Sequence, residues 1–200
     1  MIYSEPRKES VTNMNTPNKL TLVRIILVPV FMFFYMMQME WSLYAALFIY
    51  IAASITDQLD GYLARKHKQV TTFGKLMDPL ADKMLVLAAL VCYLACDVPF
   101  VSVWVIAVIL AREFIVSGVR MLAMGENNVI AASIWGKAKT VSQLVLTIAV
   151  MVFEIGLFYL PQISVVTDIL IGIMVIVVVI MTVFSGWDYV WKNRKLLTFK

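Results

Sequence analysis

Four aspartates interrupt the most apolar part of a 200-residue chain, in the order Asp57-x-x-Asp60-Gly61-x-x-Ala64-Arg65, eight residues, Gly74-x-x-x-Asp78-x-x-x-Asp82. A carboxylate at the centre of a membrane helix costs about 2.5–3.5 kcal/mol, so four would cost roughly 10–14 kcal/mol uncompensated, comparable to the net stability of a domain. Divalent cations are the natural neutralising partner. Four facing carboxylates make an oxygen-rich site for hard cations. They can hold two ions roughly 3.5–4 Å apart, the arrangement that clamps attacking and leaving oxygens in phosphoryl chemistry. Gly61 removes a side chain where a ligand would approach, and Arg65 can grip a phosphate with two parallel bonds. The chemistry these residues suggest is that of a phosphate ester presented at a membrane surface.

Such rows must be carried by helices, because residues three or four apart on a helix share a face. Asp57 and Asp60 then project together, with Gly61 one turn beyond Asp57 and Arg65 one turn beyond Gly61. Gly74, Asp78 and Asp82 form a second row on the next helix, whose first turn should hold Pro79, where backbone donors are unpaired anyway. The short connection 66–73 makes the two helices antiparallel neighbours whose acidic faces can meet.

With 62% apolar residues and a mean hydropathy of +0.86, the chain does not describe a soluble domain. The low-charge runs 43–56, 84–95 and 169–184 are what a bilayer demands. The expected architecture is all-α and integral to the membrane, with six transmembrane helices near 20–37, 41–66, 75–95, 101–124, 137–158 and 165–191. A polar segment, 1–18, precedes a membrane catalytic domain, 19–191, and a basic tail, 192–200, follows it. No apolar h-region stands before the first span, so no cleavable signal peptide is expected. Connections 38–40, 96–100 and 154–168 contain no Lys or Arg, and all 17 basic residues fall on the other half. The positive-inside rule puts that half, both termini and the acidic rows on the cytoplasmic side. Cys92 and Cys96, four apart on an apolar helix, are packing residues. Arg112 interrupts a span and should face a polar cavity inside the bundle.

The aspartate string resembles the signature of the CDP-alcohol phosphatidyltransferase family, with every signature position present. The six-helix division agrees with the membrane fold of that family over nearly the whole chain. The resemblance implies transfer of a phosphatidyl group from a CDP-linked lipid to an alcohol, with release of CMP. It implies that Asp57, Asp60 and Asp78 ligate the metals, two Mg2+ ions with Mn2+ as a substitute. Asp82 is implied as a ligand or near one, and as the general base that takes the acceptor hydroxyl's proton. Gly61, Arg65 and Thr71 match positions that bind the CDP moiety of CDP-diacylglycerol. Asn18 and Thr21 match an N-terminal nucleotide-contacting segment, although either could equally be a helix cap.

Residues 111–120, and Ala131-Ala132-Ser133 followed by Gly136-Lys137-Ala138-Lys139-Thr140 and Gln143, resemble the branch of that family whose acceptor is sn-glycerol 3-phosphate. Arg112, Arg120, Lys137 and Lys139 supply the positive charge that such a dianion needs. Expected partners are these two substrates and membrane lipids, with no nucleic acid; pairing into a homodimer through an apolar helix face is compatible with the composition. Rival readings are the same chemistry on another alcohol, such as an inositol phosphate or phosphatidylglycerol, and a cation transporter using the aspartates as its path. The transporter is disfavoured because no second copy of the string is present, whereas transporters commonly carry repeats.

Overall fold

A computed structural model of the chain describes residues 16–67, 72–125 and 133–194, with side chains described over 22–56, 83–121, 123 and 133–194. It consists of helices α1 (Thr16–Met36), α2 (Glu40–His67), α3 (Thr72–Ala95), α4 (Val103–Gly125), α5 (Ile134–Tyr159) and α6 (Ser164–Lys192). A 3-10 turn at Pro161–Ile163 leads into α6, and no strand occurs among the described residues.

Each helix follows from a 3.6-residue pattern of inward positions. Arg24, Val28, Phe31 and Tyr35 are the buried stripe of α1, and Leu43, Ala46, Tyr50 and Ala53 that of α2. The small Ala46 and Ala53 let α1 approach closely, while the Phe31 and Tyr50 rings meet at 5.4 Å between centroids. On α6 the stripe is Thr167, Ile171, Val175, Val178, Thr182, Ser185 and Tyr189. Helix α1 packs on α2 and α3, α5 on α2, α3 and α6, and α4 chiefly on α6.

Tight reversals join these antiparallel neighbours. Gln38 takes a left-handed φ of 51° between α1 and α2, and its amide donates to the Tyr35 carbonyl at 3.2 Å. After α3, Asp97 at φ 55° lets the Val98 amide reach back to the Tyr93 carbonyl at 2.9 Å, closing the helix end. Phe100, also left-handed at φ 65°, lays its ring over Gly172 of α6. A Cβ at Gly172 would stand 2.9 Å from that ring, so any larger residue would force the ring to shift.

The distribution of side chains is inverted relative to a soluble protein. Phe48, Trp104 and Phe114 are more than 70% exposed, whereas Arg24 and Lys139 are at most 3% exposed. The regions Ile134–Tyr159 and Pro161–Lys192 are each long and apolar enough to cross a membrane; shorter apolar helices cover Leu22–Met36, Glu40–Thr56 and Lys83–Ala95.

Three local expectations are corrected. Helix α1 starts at Thr16, ahead of the expected 20, because Pro17 falls in the first turn, where its missing donor costs nothing. Asn18 and Thr21 therefore stand inside α1, past its N-cap position. Helix α3 starts at Thr72, so Pro79 lies beyond the first turn. Glu154, which the expected helix 137–158 and the expected connection 154–168 both included, is within α5, which runs on to Tyr159.

Candidate active site

Helix α2 continues through Asp57, Asp60, Gly61 and Arg65, and α3 through Asp78 and Asp82, so both aspartate rows rest on regular helix. The side chains of these six residues, and of Asn18 and Thr21, lie outside the described residues, as does Thr71 altogether. Among the described residues no group of metal-ligating side chains occurs.

What the described side chains do build is a cation cluster at the same end of the bundle, centred on Glu113 of α4. The Glu113 carboxylate accepts from Arg112 at 3.1 Å and from Lys139 of α5, both on Oε1, and pairs through Oε2 with Lys83 of α3 at 3.4 Å. Lys83 also donates to the Glu113 carbonyl at 3.3 Å and to the Ser117 hydroxyl. Arg112 Nε donates to Ser185 Oγ of α6 at 3.1 Å. Three helices thus meet on one carboxylate, and the fourth, α6, joins them through Ser185 and Arg112.

Small residues make room for this. Gly136 in the first turn of α5 leaves only 3.4 Å between a notional Cβ and the Arg112 guanidinium, and Gly186 of α6 faces the Arg112 stem. Ser133 caps α5, its hydroxyl accepting from the Gly136 amide at 3.1 Å. The positive end of the α5 dipole therefore lies beside the guanidinium, and both favour an anion.

Magnitudes show why Glu113 is needed. Two cations bonded to one oxygen stand within about 6 Å of each other and repel by about 3 kcal/mol at an effective dielectric of ~20. One carboxylate against three cations offsets that repulsion and leaves a net charge of +2 (3 − 1) from Lys83, Arg112, Lys139 and Glu113.

Of the four cations expected to hold an acceptor phosphate, the structure brings together Arg112 and Lys139. Arg120 and Lys137 are exposed and make no ion pair among the described residues. Sequence reasoning passed over the roles of Glu113, Lys83, Ser117 and Ser185. The available signal was a lone glutamate beside Arg112 in an otherwise apolar run.

The opposite end of the bundle holds a second polar layer. Tyr35 OH donates to both Glu154 oxygens at 2.7 and 2.6 Å. Tyr50 OH meets Thr147 Oγ1 at 2.7 Å, and Tyr93 OH donates to the Thr147 carbonyl at 2.5 Å. Glu154 lies about 22 Å along α5 from Lys139, too far to share its chemistry.

Residues 14–184 match the CDP-alcohol phosphatidyltransferase family. The chain belongs to that family. It is similar to a protein of Bacillus subtilis (strain 168) named CDP-diacylglycerol–glycerol-3-phosphate 3-phosphatidyltransferase, 39% identical over 92% of this chain and 97% of the relative. Proteins of the same name from Haemophilus influenzae and Escherichia coli (strain K12) are 42% and 41% identical, over 65% and 66% of this chain and 71% and 73% of their own lengths. As a member of this family with apolar helices, the chain is an all-helical membrane protein. The family match takes in both aspartate rows and the cation cluster.

Proposed function

We propose that this phosphatidyltransferase moves the phosphatidyl group of CDP-diacylglycerol to sn-glycerol 3-phosphate, giving phosphatidylglycerophosphate and CMP. The observation that carries the acceptor assignment is the convergence of Arg112, Lys139 and Lys83 on Glu113 with a net charge of +2, the complement of a phosphate monoester dianion. An uncharged acceptor would not require buried cations. Arg112 and Lys139 bind the acceptor phosphate; Arg120 and Lys137 attract it at the rim.

The six helices cross the membrane with both termini and the cation cluster cytoplasmic, and the acyl chains of the donor remain in the bilayer. Asp57, Asp60, Asp78 and Asp82 hold two Mg2+ ions, a reading supported by an all-oxygen donor set at i,i+3 and i,i+4 spacing on two regular helices. When bound, the ions neutralise the pyrophosphate and stabilise charge on the departing CMP. Arg65 and Gly61 seat the CDP phosphates, with Thr71, Asn18 and Thr21 toward the nucleotide. Asp82 takes the proton of the acceptor's terminal hydroxyl as its oxygen attacks the lipid-side phosphorus. The phosphoanhydride bond breaks on the far side, and CMP leaves with that electron pair.

The test is purified full-length protein with CDP-diacylglycerol and one alcohol at a time, reading CMP release. Glycerol 3-phosphate should support turnover; glycerol, inositol, inositol phosphate and phosphatidylglycerol should not. Equal turnover with free glycerol would return the cation cluster to a role in topology.

A further inference from the structure

The two ends of the bundle differ in how completely their buried polar groups are paired. At the end holding Glu154, the hydroxyls of Tyr35, Tyr93 and Tyr50 and of Thr147 all have partners. At the end holding the cation cluster, Gln143 Nε2, Thr182 Oγ1 and Tyr189 OH are buried without one. Buried donors in folded proteins are satisfied in roughly nine cases of ten, and orphans mark places where a water, ion or ligand completes the set. These three surround the cluster: Gln143 is one turn beyond Lys139 on the same face of α5, Thr182 is three residues before Ser185, and Tyr189 packs on Val116 and Val119 of α4.

Gln143 is the orphan best placed to read a substrate. Its side chain belongs to a residue only 4% exposed, and its amide nitrogen has no hydrogen-bond partner among the described residues. It stands four residues, about 6 Å along the helix axis, deeper than the lysine that holds the acceptor phosphate. A three-carbon acceptor with its phosphate at Lys139 and its reacting hydroxyl turned across toward Asp82 can direct its middle hydroxyl inward to Gln143.

We propose that Gln143 is a specificity-determining residue whose amide donates to the non-reacting hydroxyl of the acceptor. This rests on the glycerol 3-phosphate reading above and adds to it a residue that distinguishes this acceptor from phosphate esters lacking that hydroxyl.

The experiment uses the full-length protein with CDP-diacylglycerol and two acceptors, sn-glycerol 3-phosphate and 1,3-propanediol monophosphate, which lacks the middle hydroxyl. The unmodified protein should favour glycerol 3-phosphate by at least about tenfold in kcat/KM, because the analogue leaves a buried donor unpaired. Gln143→Leu should lower kcat/KM for glycerol 3-phosphate by about tenfold, while the propanediol ester and the KM for CDP-diacylglycerol stay within about threefold. Its thermal midpoint should hold or rise, since an unpaired amide has been replaced by an apolar group of similar size. Loss of activity with a gain in stability is a combination that a merely structural glutamine would not give. Gln143→Met, unbranched and without donors, provides the same reading should the leucine variant fail to fold. Parallel losses on both acceptors, a shift confined to CDP-diacylglycerol, or no discrimination by the unmodified protein would each overturn the proposal. An unmodified protein that uses neither phosphate ester would overturn the acceptor assignment itself, and the role of Gln143 with it.

Discussion

Gly186 stands against the stem of Arg112: a Cβ built on its backbone would lie 3.1 Å from Arg112 Cγ. The arginine is held on its other side by Glu113 and Ser185, at 3.1 Å each, so it has little freedom to yield. Gly186→Ala should therefore displace the guanidinium by a few tenths of an ångström and raise the KM for glycerol 3-phosphate by about three- to tenfold, with the larger Gly186→Val costing more. Initial rates at varied acceptor and fixed CDP-diacylglycerol give the answer; an unchanged acceptor KM in both variants would mean that Arg112 does not touch the acceptor.

The cations should divide by burial. Arg112→Ala and Lys139→Met each remove a charged hydrogen bond of roughly 1.5–3 kcal/mol, which predicts a ten- to hundredfold weaker use of glycerol 3-phosphate. Arg120→Ala and Lys137→Ala, at exposed positions, should change it by less than about threefold and more at low salt than at high. Equal losses at all four positions in a salt titration would count against the division.

Strict dependence on a divalent cation is expected, because four carboxylates do not otherwise remain ionised together beside a pyrophosphate. Turnover should vanish on thorough chelation and return with Mg2+ or Mn2+. Persistence of full turnover after chelation would remove the two-ion reading.

For Asp82→Asn, CDP-diacylglycerol binding should largely survive while turnover falls by about two to four decades, the range for loss of a general base. A matching loss of binding, measured directly, would assign Asp82 chiefly to metal ligation.

Tyr35→Phe should lower stability without changing turnover per folded molecule. It strips both hydrogen bonds from the half-buried Glu154 carboxyl, and leaving such a group unsatisfied costs about 1–3 kcal/mol. Thermal unfolding in detergent checks the first part and kcat the second; a change in kcat at unchanged stability would connect that layer to catalysis.

The helices were legible in the sequence because apolar runs separated by short polar connections leave few other divisions. That both aspartate rows would lie on helices was legible from spacing, since i,i+3 and i,i+4 offsets translate directly into a shared face. Glu113 was not. A carboxylate beside an arginine in sequence points to a neighbouring side of the helix, and only the arrival of Lys139 and Lys83 from α5 and α3 reveals what it holds. Pro79 was misplaced for a related reason: the start of α3 depends on how its first turn is satisfied, which composition does not fix. Glu154 fell in both the expected helix 137–158 and the expected connection 154–168, because a charge near the end of an apolar run fits either. Tyr35, more than a hundred residues away in the chain, gives it a place inside one.

The uneven pairing of buried polar groups has a consequence for anyone seeking a hardier variant of this protein. At the end holding Glu154, where donors and acceptors are matched, single apolar replacements leave a partner stranded, and only paired replacements can raise stability. At the other end, Gln143, Thr182 and Tyr189 have no partner to strand, so single apolar replacements there should be easy gains in robustness. A screen for heat resistance alone would be drawn to those positions first, and at Gln143 it would enrich proteins that survive heating but no longer recognise their acceptor.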